Sequence, residues 1–483
     1  MNLYGYNQNQ PLLFPAYIKD KLPDDHLAVI ISDIVERLDL SLIYRKVPTE
    51  GHPSYHPKMM LKILIYAYAT GTFSSRKIEQ ALNENIPYIY LSGWQIPDFR
   101  TISNFRKNNL EEFMVLFKQV ARLCQELGMV ELGHVSIDGT KIKANASDAR
   151  TYNDKRLEKE IEKLVQEAKA TDAKEDGLYG SGSNGDDIPK EIRKQKDRLE
   201  KLKQLQEKLS QSEKEKFNLT DPDASFMKTR NGVKTSYNSQ VVVDEEHRII
   251  AAQDVTSKAS DTGELCSMVE QTQENTGQKI AKCSADAGYS SGENLNQLEQ
   301  KGIDAYIPDR EYQHNLRKGK QPTDDRFHKD NFSYNEQDDT LTCPEGKKLS
   351  FAYFQKSKGK EPLRIYRYSQ CQQCPSFSQC TKNKNGRTIS RHPYEKELKA
   401  MREKLDSPEG KAIYGKRKSI VEPVFGIIKN VMGFTSFLLR GLNKVRGEFS
   451  LVTIAYNIKK IASFFCSGDK YALLRMRLKY MKI

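Results

Sequence analysis

The chain has 483 residues, of which 37% are hydrophobic and 29% are charged, so it can bury real cores beneath wide solvated surfaces. This length suggests about two to four domains. No apolar run approaches the roughly 20 residues that cross a bilayer, and the N-terminus lacks the pattern of a secretory signal, so we expect a cytoplasmic protein without membrane contact. The 77 Lys and Arg exceed the 64 Asp and Glu by a net charge of +13. This excess favours a nucleic-acid partner, although a merely solubilising surface has the same charge.

The N-terminal part, residues 15–130, has the pattern of a helical region. His56-Pro57 precedes a long apolar stretch, as at a helix start, and shorter helical patterns begin near Ser74 and Pro97. Short helices with basic residues near their starts are typical of DNA-binding domains. We therefore predict a helical DNA-binding domain at 1–130, with a helical bundle that only packs as the alternative.

A strand pattern at 131–150 is interrupted and resumes after residue 216. Between these points, residues 151–216 are dominated by Lys, Glu, Gln and Leu, with leucines at helical spacings. The glycine-rich segment 177–185 should break this helical pattern. The simplest structure is an inserted antiparallel helical hairpin with a flexible tip.

The region 217–309 continues the interrupted fold. A β-hairpin pattern is followed by a helix capped at Asp261 or Thr262, by a strand that ends at Asp286, and by a further helix and strand. The order strand, hairpin, helix, strand, helix, strand predicts an α/β fold, a mixed sheet flanked by helices as in RNase H-like proteins. Residues 131–150 and 217–309 would form the first part of this core, and the helical segment 401–483 would complete it.

Three acidic residues occur in three unlike settings. Asp138 ends one apolar run, Asp286 ends another, and Glu422 lies in a basic helical segment. Each has an ordinary explanation when taken alone, as a turn residue or as a helix-start acid before Pro423. Together, two carboxylates at strand ends and one on a helix can hold two Mg²⁺ (or Mn²⁺) ions for phosphodiester chemistry, since these cations prefer oxygen ligands. Asp138 would bridge both ions, and the other two acids would each complete one shell.

These residues resemble the DDE transposases of bacterial insertion sequences. The matching pieces are Ile137-Asp138-Gly139-Thr140-Lys141, 285–289, 414–429 and, in the N-terminal region, Tyr55-His56-Pro57, 74–79 and 97–102. The resemblance spans nearly the whole chain and is weakest in the hairpin. It implies an RNase H-like catalytic core that uses Mg²⁺, and an enzyme that cleaves and joins double-stranded DNA at the inverted-repeat ends of its element and at a target. Because two ends must be held together, a homodimer or larger assembly is expected, working on the bacterial nucleoid.

Many such enzymes carry the pattern Tyr-x2-Arg-x3-Glu-x6-Lys around the catalytic glutamate. Tyr414 and Arg417 match the first interval, and Glu422 and Lys429 match the last. The middle interval is one residue too long, so either Arg417 or Lys418 is expected to face the phosphate. Lys429, two turns after Glu422, should share its helix face and grip a DNA phosphate. Ordinary solvated helix surface is the alternative for these basic and aromatic residues.

Four cysteines, Cys343, Cys371, Cys374 and Cys380, fall in a polar insert at 310–400. Their number and the Cys-x2-Cys spacing predict a tetrahedral structural Zn²⁺ site. Because this insert has few apolar runs, we expect metal binding to supply much of its stability. Four free thiols, or a redox pair at Cys371 and Cys374, are the alternatives.

Two other functions fit parts of the pattern. One is a catalytically retired DNA-binding protein derived from a transposase, and the other is an RNase H-like nuclease without strand transfer. The intact acidic trio argues against the first, because a pure binder gains nothing from clustered carboxylates near phosphate. The sequence does not separate the second from a transposase.

Overall fold

The computed structural model describes residues 17–50, 53–179, 190–210, 216–229, 232–318, 326–357, 360–466 and 469–480. After a 3₁₀ turn (Ile18–Lys21), the first part is helical. Its helices are α1 (Leu27–Val35), α2 (Ser41–Tyr44), α3 (Pro57–Ala69), α4 (Ser75–Glu84), α5 (Ile86–Ser92), α6 (Phe99–Asn108) and α7 (Leu110–Glu126).

Local sequence signals explain where these helices begin and end. Pro57 occupies the first turn of α3, where a missing N–H costs no helical hydrogen bond. The Asp98 carboxylate accepts a hydrogen bond from the backbone N–H of Thr101 at 2.7 Å and so caps α6. Just beyond α7, Gly128 takes a φ of 74°, which reverses the chain toward the sheet.

The second part is built around a sheet and a helical hairpin. Its elements are β1 (His134–Lys143), β2 (Thr151–Tyr152), α8 (Asp154–Tyr179), α9 (Lys190–Ser210), β3 (Phe217–Asn218), β4 (Ser225–Thr229), β5 (Gly232–Asp244), β6 (Ile250–Thr256), α10 (Leu265–Thr276), β7 (Lys282–Ala285), α11 (Gly292–Gln300), β8 (Asp304–Tyr306) and α12 (Arg310–Lys318).

The central sheet is mixed. Strand β5 pairs antiparallel with β1 and with β6, whereas β7 runs parallel to β1 and β8 runs parallel to β7. The order is therefore β6-β5-β1-β7-β8, and β4 pairs with the first part of β5. This mixed α/β topology is consistent with the predicted RNase H-like core, and it confirms the expected fold class.

The hairpin α8–α9 interrupts the sheet between β1 and β4 and has its own hydrophobic cluster. Buried leucines from both helices meet aromatic residues of the short strands β2 and β3: Leu157, Leu164, Leu202, Leu205, Tyr152 and Phe217. Helix α8 continues to Tyr179, so the break predicted at Gly177 comes too early. A glycine costs a helix only about 1 kcal/mol, which its neighbours can offset. The rest of the predicted tip, 180–185, lies outside the described residues.

The polar insert forms a second sheet, which its sequence pattern did not predict. Its elements are a 3₁₀ turn (Lys329–Asn331), β9 (Ser333–Asn335), β10 (Thr340–Thr342), β11 (Lys348–Ser357), β12 (Lys360–Arg367), a 3₁₀ turn (Cys371–Gln373), α13 (Phe377–Cys380) and β13 (Thr388–Arg391). The strands are antiparallel in the order β13-β12-β11-β10-β9. Single apolar residues from separate strands and turns share one small core: Phe332, Leu341, Leu349, Tyr366 and Ile389. The segment therefore forms a hydrophobic core although its sequence contains few long apolar runs.

The last part is helical and closes the main core. Its elements are α14 (Glu395–Asp406), α15 (Pro408–Gly426), a π-helical turn (Ile427–Val431), α16 (Leu442–Phe465) and α17 (Asp469–Tyr480). Helix α16 is buried along most of its length and packs on α3, α7 and β6, so one hydrophobic core joins the N-terminal helices to the sheet. Within the described part of the chain, no helix has the length and apolar character that a membrane span requires.

Candidate active site

The parallel pair β1 and β7 brings two of the predicted acids side by side. Ile137 pairs with Ala285, so Asp138, in the middle of β1, and Asp286, the first residue after β7, lie at the same level of the sheet. Each carboxylate is oriented by a nearby backbone N–H group. Asp138 Oδ1 accepts from Gly139 at 2.8 Å, and Asp286 Oδ1 accepts from Gly288 at 2.7 Å. Asp286 follows the end of β7, as predicted, but the prediction that Asp138 ends its strand is wrong, because β1 continues to Lys143 along its pairing with β5.

Asp138 also contacts Arg417 of α15. The guanidinium Nη1 donates to Asp138 Oδ2 at 3.2 Å, and the side chains of Arg417 and Asp138 are 9% and 20% exposed. Burial raises the pKa of Asp138 to about 6, because Arg417 only partly offsets the desolvation of the carboxylate and neighbouring Asp286 adds repulsion. The arginine therefore supplies a positive charge where a metal ion would also act, while part of the carboxylate stays open to solvent.

Helix α15 lies across these strands, with a buried face made of Ile413, Arg417, Ile420, Val421 and Val424. Glu422 is on the exposed side of the helix, and its carboxylate has no described hydrogen bond or ion pair. Five residues of helix turn through about 500°, so Glu422 and Arg417 differ by about 140° in direction. The structure thus brings Asp138, Asp286 and Arg417 together but leaves Glu422 outside their contacts.

Lys429, in the π-helical turn (Ile427–Val431) that follows α15, attaches this turn to β1. Its Nζ donates to Thr140 Oγ1 at 2.5 Å and to the carbonyl oxygen of Lys141 at 3.2 Å. Lys429 lies in the π-helical turn, which is wound less tightly than α-helix and changes the direction of the side chains that follow. Glu422 therefore lies between two cations that both contact β1, five residues after Arg417 and seven before Lys429.

The structure separates the two candidates for the phosphate-facing cation. Arg417 faces Asp138, whereas Lys418 is exposed and has no described partner. Tyr414 is partly buried beside Arg417, with the guanidinium carbon 6.0 Å from the centre of its ring. Its hydroxyl accepts a hydrogen bond from Gln313 Nε2 at 3.4 Å.

A third aspartate, Asp261, lies beside this pair, and the sequence pattern did not indicate it. Asp261 was interpreted only as a helix cap, but α10 begins at Leu265. Asp261 Oδ1 instead accepts hydrogen bonds from Asn238 at 2.6 Å, Gln240 at 2.8 Å and Lys141 at 3.2 Å. The available signal was its position five residues after the end of β6, in the loop that precedes α10.

Two glycines allow these groups to approach each other. A methyl group on Gly139 would lie 2.4 Å from Gln240 Nε2 and 3.0 Å from Asp261 Oδ1. A methyl group on Gly288 would lie 2.8 Å from Asp286 Oδ1 and 3.4 Å from Asp261 Oδ2. A side chain at either position would therefore collide with the aspartates or with the amide side chains that hold Asp261, which explains the glycines at both positions.

The four cysteines of the insert lie around one small cavity of about 30 Å³. Backbone N–H groups point at two of the sulfurs, from Lys347 to Cys343 Sγ at 3.4 Å and from Arg387 to Cys371 Sγ at 3.3 Å. None of the eight cysteines forms a disulfide bond, and Cys124 and Cys283 are buried in the main core. Among the described residues, no three His, Cys, Asp or Glu side chains are arranged to hold a metal ion, which applies to the acidic set as well.

Comparisons with known families bear on both ends of the chain. A family model described as a transposase DDE domain matches residues 342–462, and one described as a transposase domain (DUF772) matches residues 16–108. The first match contains Glu422 and the four cysteines but neither Asp138 nor Asp286. No curated protein matches the chain. DDE transposases generally use divalent metal ions and act on DNA. Together with the mixed sheet between the two matched segments, these matches support a DDE transposase of the insertion-sequence type.

Proposed function

We propose that this transposase binds the inverted-repeat ends of its mobile element and catalyses Mg²⁺- or Mn²⁺-dependent DNA cleavage and strand transfer through Asp138, Asp286 and Glu422. The observation that carries the proposal is the pair of aspartates at one level of the sheet, Asp138 within β1 and Asp286 just after the parallel strand β7, with α15 fixed across them. Holding two element ends together requires a homodimer or larger assembly, acting on the nucleoid.

The donor set fits hard divalent cations. Asp138 and Asp286 offer carboxylate oxygens, and Asp286 Oδ2 has no hydrogen bond among the described residues. Repulsion between the two acids favours a cation beside them. Glu422 is the third proposed ligand and has to turn from its exposed position toward the strand ends. When bound, the metal ions would lower the pKa of the attacking water or 3′-hydroxyl and relieve charge on the leaving oxygen.

The basic residues of α15 and the π-helical turn take complementary roles in the proposal. Arg417 balances the charge of Asp138 and is the cation closest to where the scissile phosphate would lie. Lys418, with Tyr414, faces DNA farther along the helix, and Lys429 grips a phosphate next to Thr140. Positively charged side chains on both sides of Glu422 would thus orient the strand that is cut.

We also propose a structural Zn²⁺ ion at Cys343, Cys371, Cys374 and Cys380. The support is the small cavity that these thiols share and the two backbone N–H groups directed at sulfur, which favour thiolates. Thiolate is the ligand that zinc prefers at structural sites.

The decisive experiment uses the purified protein, Mg²⁺ and linear DNA that carries the inverted repeats flanking the coding region. The wild type is expected to cut at the ends and to join the freed 3′-hydroxyl to target DNA. Asp138→Ala and Glu422→Gln should abolish cutting. Glu409→Gln, an exposed change on the same helix, should not. An Asp138→Ala protein that still cuts would overturn the proposed site.

One observation favours a second function. The Asp138–Arg417 pair places an arginine at the proposed metal position, as expected if catalysis has been lost and only DNA binding remains. A catalytically inactive DNA-binding protein would bind the ends and leave them uncut with Mg²⁺ or Mn²⁺. Its DNA binding would not change in the Glu422→Gln variant. A nuclease without strand transfer would cut but would fail to join pre-cut ends.

A further inference from the structure

A second cleft, with a volume of about 620 Å³, lies where β1 ends. It is formed by the chain just after β1, by residues 436–438 and by Thr220. Three of its lining residues are cations, Lys143, Arg150 and Arg440, and no lining residue is acidic. The cleft is thus a positively charged depression separate from the carboxylate pair.

Backbone contacts hold the cleft in shape. Strand β7 pairs with β1 only as far as Ile137, and residues 435–437 resume the pairing at Lys143. The N–H of Phe437 donates to the Lys143 carbonyl oxygen at 2.9 Å. On the other wall, Arg440 Nε donates to the carbonyl oxygen of Asn145 at 2.9 Å. The walls are therefore fixed by the sheet rather than by side-chain packing alone.

The three cations have no ion-pair partner among the described residues. The acids nearby are engaged elsewhere. Asp148 pairs with Lys234 at 3.1 Å. Asp221 accepts a hydrogen bond from the Tyr237 hydroxyl at 2.8 Å, and Asp223 accepts one from the N–H of Leu442 at 2.9 Å. Uncompensated cations that converge on one cleft favour an anionic ligand.

We propose that this cleft binds the phosphodiester backbone of the DNA duplex whose end is cut at Asp138. The inference rests on the proposed function and adds a contact that carries no sequence information. Lys143 is five residues beyond Asp138, which corresponds to about 17 Å along a strand. This distance equals about five base pairs, or half a helical turn.

The test measures binding of the full-length protein to a labelled DNA duplex in EDTA, by fluorescence anisotropy, between about 50 and 200 mM KCl. The double variant Lys143→Gln/Arg150→Gln changes two exposed side chains and leaves Arg440 in place. Each lost phosphate contact should make the slope of log K against log salt shallower by about 0.9, so the expected change is about 1.8.

Two matched variants make the result specific. Lys203→Gln/Lys399→Gln removes the same charge at exposed positions elsewhere and should leave the slope unchanged. Lys143→Arg/Arg150→Lys keeps the charge and should restore the wild-type slope, which also shows that the cleft tolerates substitution. An unchanged slope in the first variant, or an equal fall in the control, overturns the inference. The same fall with an RNA duplex overturns its assignment to DNA.

Because no divalent ion is present, the outcome is independent of catalysis. A protein that cuts element ends but shows an unchanged slope in the cleft variant would refute the cleft alone. If the wild type never cuts element ends but the cleft variant shows the predicted shallower slope, the result would support DNA binding by the cleft and refute the proposed function.

Discussion

The acidic end of the central sheet and the cysteine-bearing sheet both gather possible metal ligands, but different forces hold those ligands in place. Asp138 lies within β1 and Asp286 directly follows its partner strand β7, both beside the largest core of the molecule, and each has a backbone N–H partner. The cysteines lie on turns and on a four-residue helix beside a core of five buried residues.

Because of this difference, a metal ion would have a catalytic role at one site and a structural role at the other. At the acidic end, the sheet, Arg417 and Lys429 already fix the surroundings, so a bound ion should change chemistry more than folding. In the second sheet, few residues are buried, so an ion shared by the thiols would contribute to the fold itself. The following predictions test that contrast.

The largest effect is expected in the cysteine-bearing sheet. Cys371→Ser should abolish zinc binding and expose residues 326–391 to protease, since structural zinc contributes on the order of 10 kcal/mol to small metal-dependent folds. Zinc content and limited proteolysis of the purified protein measure both effects.

Cys466→Ser is the matched control, because Cys466 is exposed and lies outside this sheet. It should bind as much zinc as the wild type and resist protease equally. Wild-type protein that contains no zinc and is still protected at 326–391 would show that five buried residues suffice, and the contrast between the two sheets would disappear.

Substitution of an aspartate at the acidic end should reduce cleavage strongly and change stability little, the opposite of the effect expected in the cysteine-bearing sheet. Asp286→Asn keeps an acceptor for the N–H of Gly288 but removes the charge. Cleavage should fall by about 10³-fold, or ~4 kcal/mol of transition-state stabilisation. The melting temperature should stay within about 2 °C, because no packing is lost. Single-turnover cleavage and thermal unfolding provide the two readouts.

The same substitution on the next strand, Asp304→Asn, is the control. Asp304 forms an ion pair with Lys404 and lies away from the proposed ligands. It should cost at most about 1 kcal/mol of stability and leave cleavage unchanged. If Asp304→Asn and Asp286→Asn slow cleavage equally, the effect is not specific to the site.

Most helices and strands of the main fold could be predicted from the sequence, because they follow from patterns among neighbouring residues. The apolar run before Asp286 identified the end of β7, and the run before Asp138 identified β1, although β1 continues to Lys143. The parallel pairing of these two strands brings the aspartates together. Capping signals such as Asp98 located helix starts. The roles of Asp138 and Asp286 as ligands stay predictions, as does that of Glu422.

The remaining features depend on contacts between distant residues. Nothing local indicates that Arg417, in a run of basic residues, is buried against Asp138, because the partner lies on another element. The π-helical turn that carries Lys429 to β1 and the side chains that surround Asp261 are likewise set by packing. Sequence periodicity describes one element at a time, so it cannot supply these pairings.

A smaller effect is expected from the titration of Asp138. Its pKa of about 6 in the folded protein is above the unfolded value, so the folded state binds more protons between about pH 4 and 6. The stability of the wild type relative to Asp138→Asn should therefore be greatest below about pH 4 and fall by up to ~3 kcal/mol as the pH rises through 6.

Urea unfolding of both proteins in EDTA, from about pH 4 to 7, measures this difference. Subtracting the variant removes the contribution of the other carboxylates, and added Mg²⁺ at neutral pH should restore part of the loss. A difference that does not depend on pH would mean that Arg417 fully compensates the charge of Asp138, which would weaken the case for a cation at that position.

The smallest effect should come from Asp261, which defines the edge of the acidic site. Asp261→Asn keeps an oxygen for Asn238 and Gln240 but removes the charge that faces Lys141. We expect a loss of about 1–2 kcal/mol in urea unfolding, as for a hydrogen bond to a charged group, and less than about tenfold slower cleavage. Exposed Asp338→Asn should change neither quantity. A loss of cleavage as large as that of Asp286→Asn would place Asp261 among the metal ligands. The acidic end would then be a site that needs its ion to balance three aspartates, and its independence from metal, in contrast to the cysteine-bearing sheet, would be lost.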